Sequence, residues 1–461
     1  MNISRTAAEC LLSDPRVAQA KKLLLEAVHE HQGALTHPKS PNVDLQESYK
    51  QKLEKFAEDR GGKLWFPYLG SGLGNGCLVE LADGSVKYDF ISGIGTHYFG
   101  HSHPDLIASS IDAAISDTIM QGHLQQNLDS VELCHLLITH SGIDHCFLST
   151  SGATANENAL KIVLQKRSPA NRILAFERGF AGRTWALAQI TDKPSFREGL
   201  PSQIFVDYIP FYDPHQPEKS METSVHALKK HLARHPKEYA TMIFELIQGE
   251  GGFYPGSERF FRALMDILKE NGISIIVDEI QTFGRTSSLF AFQYFNLKEY
   301  VDVVTIGKLS QVCATLFCEH HRPRPGLLSQ TFTGSTSAIR ASKVILEGLI
   351  NNNFFGKEGK NAMIEYQFAL RLEGLNKKYP KSISGPFGIG TMVAFTPFDG
   401  DVHRTTKFVH TLFDHGVMSF IAGSHPSRVR FLVPAGAVTE KDIDAVCNIV
   451  EQVILSSLTS G

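Results

Sequence analysis

The seven cysteines of this chain include no CxxC pair and follow no regular spacing, which removes the usual frame of a disulfide scaffold or a cysteine zinc site. Long apolar runs are missing as well. No uninterrupted stretch approaches the roughly 20 residues that span a bilayer. Neither charge sign dominates: 45 Lys and Arg stand against 48 Asp and Glu, a formal net charge of −3, so nothing marks a nucleic-acid or anionic-membrane surface. Residues 1–10 lack the apolar core of a signal peptide, and the expected location is the cytoplasm. Internal repeats and low-complexity segments are also absent. What remains is a globular composition, 42% hydrophobic and 20% charged over 461 residues, able to bury a substantial core in more than one region. Small-molecule chemistry is the class this composition favours.

The hydropathy pattern divides the chain into an N-terminal helical extension (1–62), a short meander (63–100), a large α/β region (101–349) and a C-terminal α+β region (350–461). In the extension, helices are expected from Pro15 to His31 and from about Asp44 to Asp59, closed by Gly61 and Gly62. Gly70, Gly72, Gly74 and Gly76 then lead into Cys77–Leu81 and a turn at Ala82-Asp83-Gly84, the pattern of antiparallel strands. Between Gly100 and Leu349, helical stretches alternate with short apolar strands, clearest at 173–176, 241–245, 273–277 and 302–306. Such alternation predicts a mostly parallel sheet covered by helices. Later strands are expected at 390–396 and 428–432, with a closing helix from Glu440.

Lys308 and Asp278 are the residues most informative about chemistry. Each ends an apolar run that reads as a buried strand, and open parallel sheets bind ligands at the carboxyl ends of their strands. An unpaired buried carboxylate is costly, and a lysine emerging from a buried strand is paired, exposed or functional. Pyridoxal phosphate resolves both at once: it takes a lysine as its Schiff base and an acid beside its pyridine nitrogen. Upstream, the small residues Ser151-Gly152-Ala153 precede a helical pattern and could cradle a phosphate on helix N–H groups, or serve only as a cap. Phe180-Ala181-Gly182-Arg183-Thr184 offers a stacking face beside a guanidinium. Glu245, before the glycine-rich run Gly249-Glu250-Gly251-Gly252, either faces a ligand or satisfies backbone donors or an arginine.

Taken in order, Ser151-Gly152-Ala153, Phe180-x-Gly182-Arg183-Thr184, Gln248-Gly249-Glu250-Gly251-Gly252, Asp278-Glu279-x-Gln281-Thr282, Lys308 and Arg430 resemble the class III, fold-type-I aminotransferases dependent on pyridoxal phosphate. The likeness extends upstream to Asp89–Gly95 and Gly100–Pro104 and covers about Leu78 to the C-terminus. It implies a large domain with a mostly parallel sheet and a smaller α+β domain assembled from both chain ends. It also implies Lys308 as the Schiff-base lysine and proton carrier, and Asp278 as the partner of the pyridine nitrogen. Ser151, Gly152 and Ala153 would bind the phosphate, Phe180 would stack on the ring, and Gln281 would approach the phenolic oxygen. Thr331 matches a threonine that reaches the cofactor of a neighbouring subunit, which implies a homodimer with active sites at the interface. Substrate contacts would fall to Arg183, Glu250, Arg430 and Ile94. Arg430 matches an arginine that binds the α-carboxylate of glutamate or 2-oxoglutarate, and the acid matched by Glu250 masks it when an ω-amine enters. An arginine flanked by Val429 and Phe431 could instead be a structural ion pair, but the surrounding motif favours function.

Departures from the family pattern are local. Ala181 stands where histidine is frequent, Leu246 replaces a proline, and Gly334-Ser335-Thr336-Ser337 lacks the usual Gly-Gly-Asn-Pro. The segment Lys308-Leu309-Ser310-Gln311-Val312-Cys313 lacks a glycine-rich tail and is similar to the lysine 6-aminotransferase branch. The expected activity is amino transfer from the ω-amine of a diamino acid or ω-amino acid to 2-oxoglutarate, giving an aldehyde and glutamate by a ping-pong mechanism. Small-molecule donors and 2-oxo acids are the expected partners, with no metal, nucleic acid or membrane. An aminomutase, racemase or decarboxylating transaminase could use the same Lys/Asp core, and a cofactor-binding or assembly protein without turnover is a third reading.

Overall fold

The computed structural model describes residues 5–117 and 124–459. The first four residues of the N-terminal segment lie outside the described residues. The extension forms helices Ala7–Leu12, Pro15–Gln32 and Val43–Asp59, each started by a side-chain cap from Thr6, Asp14 and Asn42. Strands Gly70–Asn75, Leu78–Leu81 and Val86–Asp89 then pair antiparallel, as the glycine and turn pattern predicts. A fourth strand, Val417–Met418, joins Val86–Asp89 in parallel from far along the chain.

The central sheet has seven strands: β1 (His145–Ser149), β2 (Arg172–Phe176), β3 (Phe205–Ile209), β4 (Tyr239–Phe244), β5 (Ser274–Glu279), β6 (Val303–Ile306) and β7 (Cys313–Phe317). Their spatial order is β1-β7-β6-β5-β4-β2-β3. The β6–β5, β5–β4, β4–β2 and β2–β3 pairs are parallel, whereas β7 runs antiparallel to both of its neighbours. All of β4, β5 and β6 is buried, which explains their near-continuous apolar sequences: helices cover both faces of the sheet.

The helix Glu258–Glu270 illustrates that covering layer. Its Ser257 cap accepts from the Phe260 N–H, and Phe260, Phe261, Leu264, Met265 and Leu268 form its buried face. Each such side chain contributes about 1.5–3 kcal/mol by leaving water. A second sheet, ordered Ile383–Ile389, Met392–Pro397, Arg428–Leu432 and Phe420–Ala422, packs beside helices Lys360–Lys378 and Val402–Asp414, and Glu440–Thr459 closes the chain. Among the described residues, no helix is long and apolar enough to cross a membrane.

Candidate active site

Parallel register fixes the centre of the site. Asp278 on β5 lies opposite Thr305 on β6, and Lys308 follows β6 by two residues. Both therefore sit at carboxyl ends of adjacent strands. Lys308 opens a 3-10 turn (Lys308–Ser310) with φ +54, a left-handed conformation uncommon for a residue with a side chain. Gln311 takes φ +60 directly after it and donates through Nε2 to the Thr96 carbonyl at 2.8 Å. That bond ties the lysine turn to the segment Ser92–Gly95, where Ser92, Gly93, Ile94 and Gly95 all have positive φ. Ile94, a β-branched residue at φ +59, is half-buried beside this loop.

Asp278 is buried, and its oxygens are held by two donors: Asn156 Nδ2 to Oδ2 at 2.7 Å and the Ile280 N–H to Oδ1 at 2.9 Å. Burial pushes its carboxyl up to about 6, against the pull of those bonds and of Lys308. Lys308 moves the opposite way. Burial and the neighbouring Arg430 draw it down to about 8, while the carboxylates of Glu250, Glu245 and Asp278 hold it from falling further.

Next to these strand ends, Ser151 caps the helix Gly152–Arg167. Its hydroxyl accepts from the Thr154 N–H at 3.1 Å, and the Gly152 and Ala153 N–H groups belong to the first turn, which has no intrahelical acceptors. A Cβ on Gly152 would stand 2.9 Å from Ile280 Cγ2, so glycine is what lets this turn approach β5. Gln281 is buried, and its Oε1 has no hydrogen-bond partner. Phe180 is half-buried; its N–H donates to Glu245 Oε2 at 3.0 Å, and its ring meets Phe196 edge-on. Glu245 also accepts from the Gly249 N–H at 2.9 Å, so it satisfies backbone donors, the structural alternative of its sequence reading. Burial raises its carboxyl to about 8.

Glu250 and Arg430 form an ion pair, Nη2 to Oε1 at 2.5 Å. Burial works to raise the Glu250 carboxyl, but Arg430 and Lys308 outweigh it and hold the group below its ordinary value. Arg430 is fully buried, and its Nε and Nη1 have no hydrogen-bond partner. Two further predicted residues make no hydrogen bond or ion pair with Lys308, Asp278 or the Glu250–Arg430 pair. Arg183 is exposed, with its guanidinium 3.8 Å over the Phe196 ring, and Thr331 is exposed before the helix Thr336–Asn351.

Asn156 is a residue of this cluster that sequence reasoning passes over. It lies on the helix Gly152–Arg167, buried, donating to the Ala181 carbonyl and to Asp278 while its Oδ1 accepts from Thr305 Oγ1. A lone polar residue after a cap gives no such signal; a buried asparagine one turn into a strand-end helix is the available clue.

The donor set fits pyridoxal phosphate. An amine of lowered basicity, a desolvated carboxylate, a helix start stripped of side-chain bulk and a buried glutamine amide match its aldehyde, ring nitrogen, phosphate and phenolic oxygen in chemical kind.

Comparison with known proteins follows the same line. The family model of class-III aminotransferases matches residues 71–454. Acetylornithine aminotransferase of Archaeoglobus fulgidus is 29% identical over 388 residues, 82% of this chain and 93% of that one. Its counterpart in Methanocaldococcus jannaschii is 28% identical over 404 residues, 82% of this chain and 92% of the relative. Among solved structures, lysine aminotransferase from M. tuberculosis superposes with a TM-score of 0.78 at 22% identity, covering 87% of this chain and 98% of that one. Ornithine aminotransferase from Toxoplasma gondii ME49 gives 0.77 at 22%, covering 92% and 100%. At those identities the structural likeness speaks for the fold.

Proposed function

This chain belongs to the class-III aminotransferases, which are dependent on pyridoxal phosphate, and on that premise we propose that it takes the ω-amine of a diamino acid or ω-amino acid and passes it to 2-oxoglutarate. Lysine, ornithine and acetylornithine are the donor types in view, since relatives carry those names. The observation that carries the reading is the Glu250–Arg430 pair beside Lys308.

When bound, the cofactor supplies an aldehyde that condenses with amines and a ring that accepts the electron pair released at the reacting carbon. The rest falls to the chain. Ser151 with the Gly152 and Ala153 N–H groups would hold the phosphate, Phe180 would stack on the ring, Gln281 would approach the phenolic oxygen, and Asp278, anionic above about 6, would pair with the protonated ring nitrogen. Lys308, part of which is neutral near pH 8, takes the proton from the donor carbon and returns it elsewhere on the reacting system. Glu250 neutralises Arg430 while an ω-amine donor occupies the site. It swings away when a dicarboxylic acceptor arrives, and Arg430 then grips the α-carboxylate with nitrogens that lack a protein partner. Alternation of donor and acceptor in one pocket gives ping-pong kinetics. Arg183 and Ile94 border the donor, and Thr331 completes the site of a second copy, which makes the working unit a homodimer, in the cytoplasm.

A panel of lysine, ornithine, acetylornithine, 4-aminobutyrate and simple diamines, each with 2-oxoglutarate and scored by glutamate formation, tests the proposal. Wild type should convert at least one donor, and Lys308→Ala none. Failure of every ω-amine, with turnover of α-amines alone, overturns it.

A further inference from the structure

A cavity of about 770 Å³ opens beside the candidate site and does not include Lys308. It lies between the loops that leave β2 and β3 and the strands Ile383–Ile389 and Met392–Pro397 of the second sheet. Aromatic side chains form part of its walls, with Phe211, Tyr212, Phe253, Tyr254 and Phe387 among them. Arg428 also lines it.

Arg428 is buried, and its guanidinium is sandwiched 3.5 Å from the Phe387 centroid and 4.1 Å from that of Tyr254. Nη1 donates to the Gly252 carbonyl at 2.5 Å, whereas Nε has no partner at all. The groups that perturb it are Tyr254 and Arg178, and no carboxylate is among them. Burial lowers Arg428 to about 10, which leaves it cationic at neutral pH. A buried charge without a counter-ion is costly, and a guanidinium is the group that a carboxylate pairs with in bidentate fashion. Glu177, Asp213 and Asp399 line the same cavity, and a second negative charge on the ligand would meet them.

We propose that this cavity is a second ligand site, which binds a small organic monocarboxylate with an apolar or aromatic body: the carboxylate on Arg428 and the body against the aromatic walls. The site adjoins the chemistry without sharing its groups. Arg428 holds Gly252 and Arg430, two residues on, holds Glu250, so the ligand rests on the strand and loop that carry the Glu250–Arg430 pair.

Titration calorimetry of the cofactor-loaded enzyme with 3-phenylpropanoate tests this, with 3-phenylpropanamide and glutarate as the uncharged and doubly charged comparisons. One molecule of 3-phenylpropanoate per chain is expected, at least tenfold tighter than either comparison. Arg428→Gln should weaken it at least tenfold, and Arg430→Gln should leave it unchanged. Ser384 is exposed and lines the cavity, so Ser384→Trp obstructs the space without touching the core; it should weaken binding to the same degree even if Arg428→Gln fails to fold. No binding to wild type, equal binding of the amide or of glutarate, loss in Arg430→Gln, or undiminished binding in Ser384→Trp would each overturn the proposal.

Discussion

Asn156 donates to Asp278 Oδ2 at 2.7 Å while Thr305 Oγ1 donates to Asn156 Oδ1 at 2.7 Å, so the amide is fixed from both sides and the carboxylate it serves has one orientation. The bond spans 122 positions of sequence and joins the phosphate-side helix to the central strand β5. One side chain thus links the helix to the carboxylate and, beside burial and the Ile280 N–H, helps to tune its ionisation.

Replacing Asn156 with Ala should therefore act on the cofactor before it acts on the substrate. Hydrogen bonds to charged groups are worth roughly 1.5–3 kcal/mol. Asn156 also works to lower the Asp278 carboxyl, so its loss moves that group further above about 6 and leaves less anion at neutral pH. Cofactor dissociation should rise by roughly tenfold to a hundredfold, read by absorbance on dialysis, while the donor KM of the reloaded enzyme changes little. Unaltered cofactor affinity would mean that the network is only structural.

The ionisations of Lys308 and Asp278 predict the pH dependence of cofactor uptake by the cofactor-free protein. The neutral amine of Lys308 is the reactive form, and it grows as pH rises through about 8; below about 6, protonation of Asp278 removes the partner of the ring nitrogen. Uptake should accelerate with pH and level off above about 8. Glu250 helps to raise Lys308, so Glu250→Gln should move the midpoint to lower pH. Stopped-flow absorbance after mixing with pyridoxal phosphate checks both, and a midpoint near the ordinary lysine value would contradict the buried amine.

Glu250→Gln should also split the two halves of turnover. Without the carboxylate, Arg430 stays a buried cation facing an ω-amine, and leaving such a charge unpaired costs about 2 kcal/mol or more. Conversion of ω-amine donors should drop by about tenfold or more, with the reaction of 2-oxoglutarate on the amino form of the enzyme preserved. Single-turnover measurements of each half separate the cases. Equal loss in both would assign Glu250 a general structural role.

Legibility in the sequence follows burial and locality. β5 and β6 are readable because strands buried on both faces are dominated by Ile and Val, and Arg428–Leu432 matches its expected span. β1, β3 and β7 escape notice: His145–Ser149 and Phe205–Ile209 are partly exposed and mix polar with apolar residues, and Cys313–Phe317 is an antiparallel strand placed between β1 and β6 by tertiary pairing. Lys308, Asp278 and Glu250 are visible because a charge at the end of an apolar run, or among glycines, is conspicuous locally. Asn156 and Arg428 are not, because their roles lie in contacts with distant segments: Asn156 with Thr305, and Arg428 with Gly252 and Phe387.

The last prediction concerns the space between Gly249 and Gln281. A Cβ on Gly249 would stand 2.1 Å from Gln281 Oε1 and 2.7 Å from its Cδ, and Gln281 is buried with that oxygen unpartnered. Gly249 has no positive φ, so the demand for glycine is one of volume and not of backbone conformation. Gly249→Ala must displace the Gln281 amide, at a cost of about 1–3 kcal/mol for forced repacking. It should lower the thermal midpoint and shift the cofactor absorbance together. Gln281→Ser alone removes the amide without crowding, so it should shift the absorbance and leave the midpoint nearly unchanged. In the double variant the serine gives the new methyl room. Stability should then return while the absorbance stays shifted, because the group that approaches the phenolic oxygen is still missing. If the double variant remains as unstable as Gly249→Ala, the clash lies with the backbone of the Gly249–Gly252 turn, and the volume argument fails.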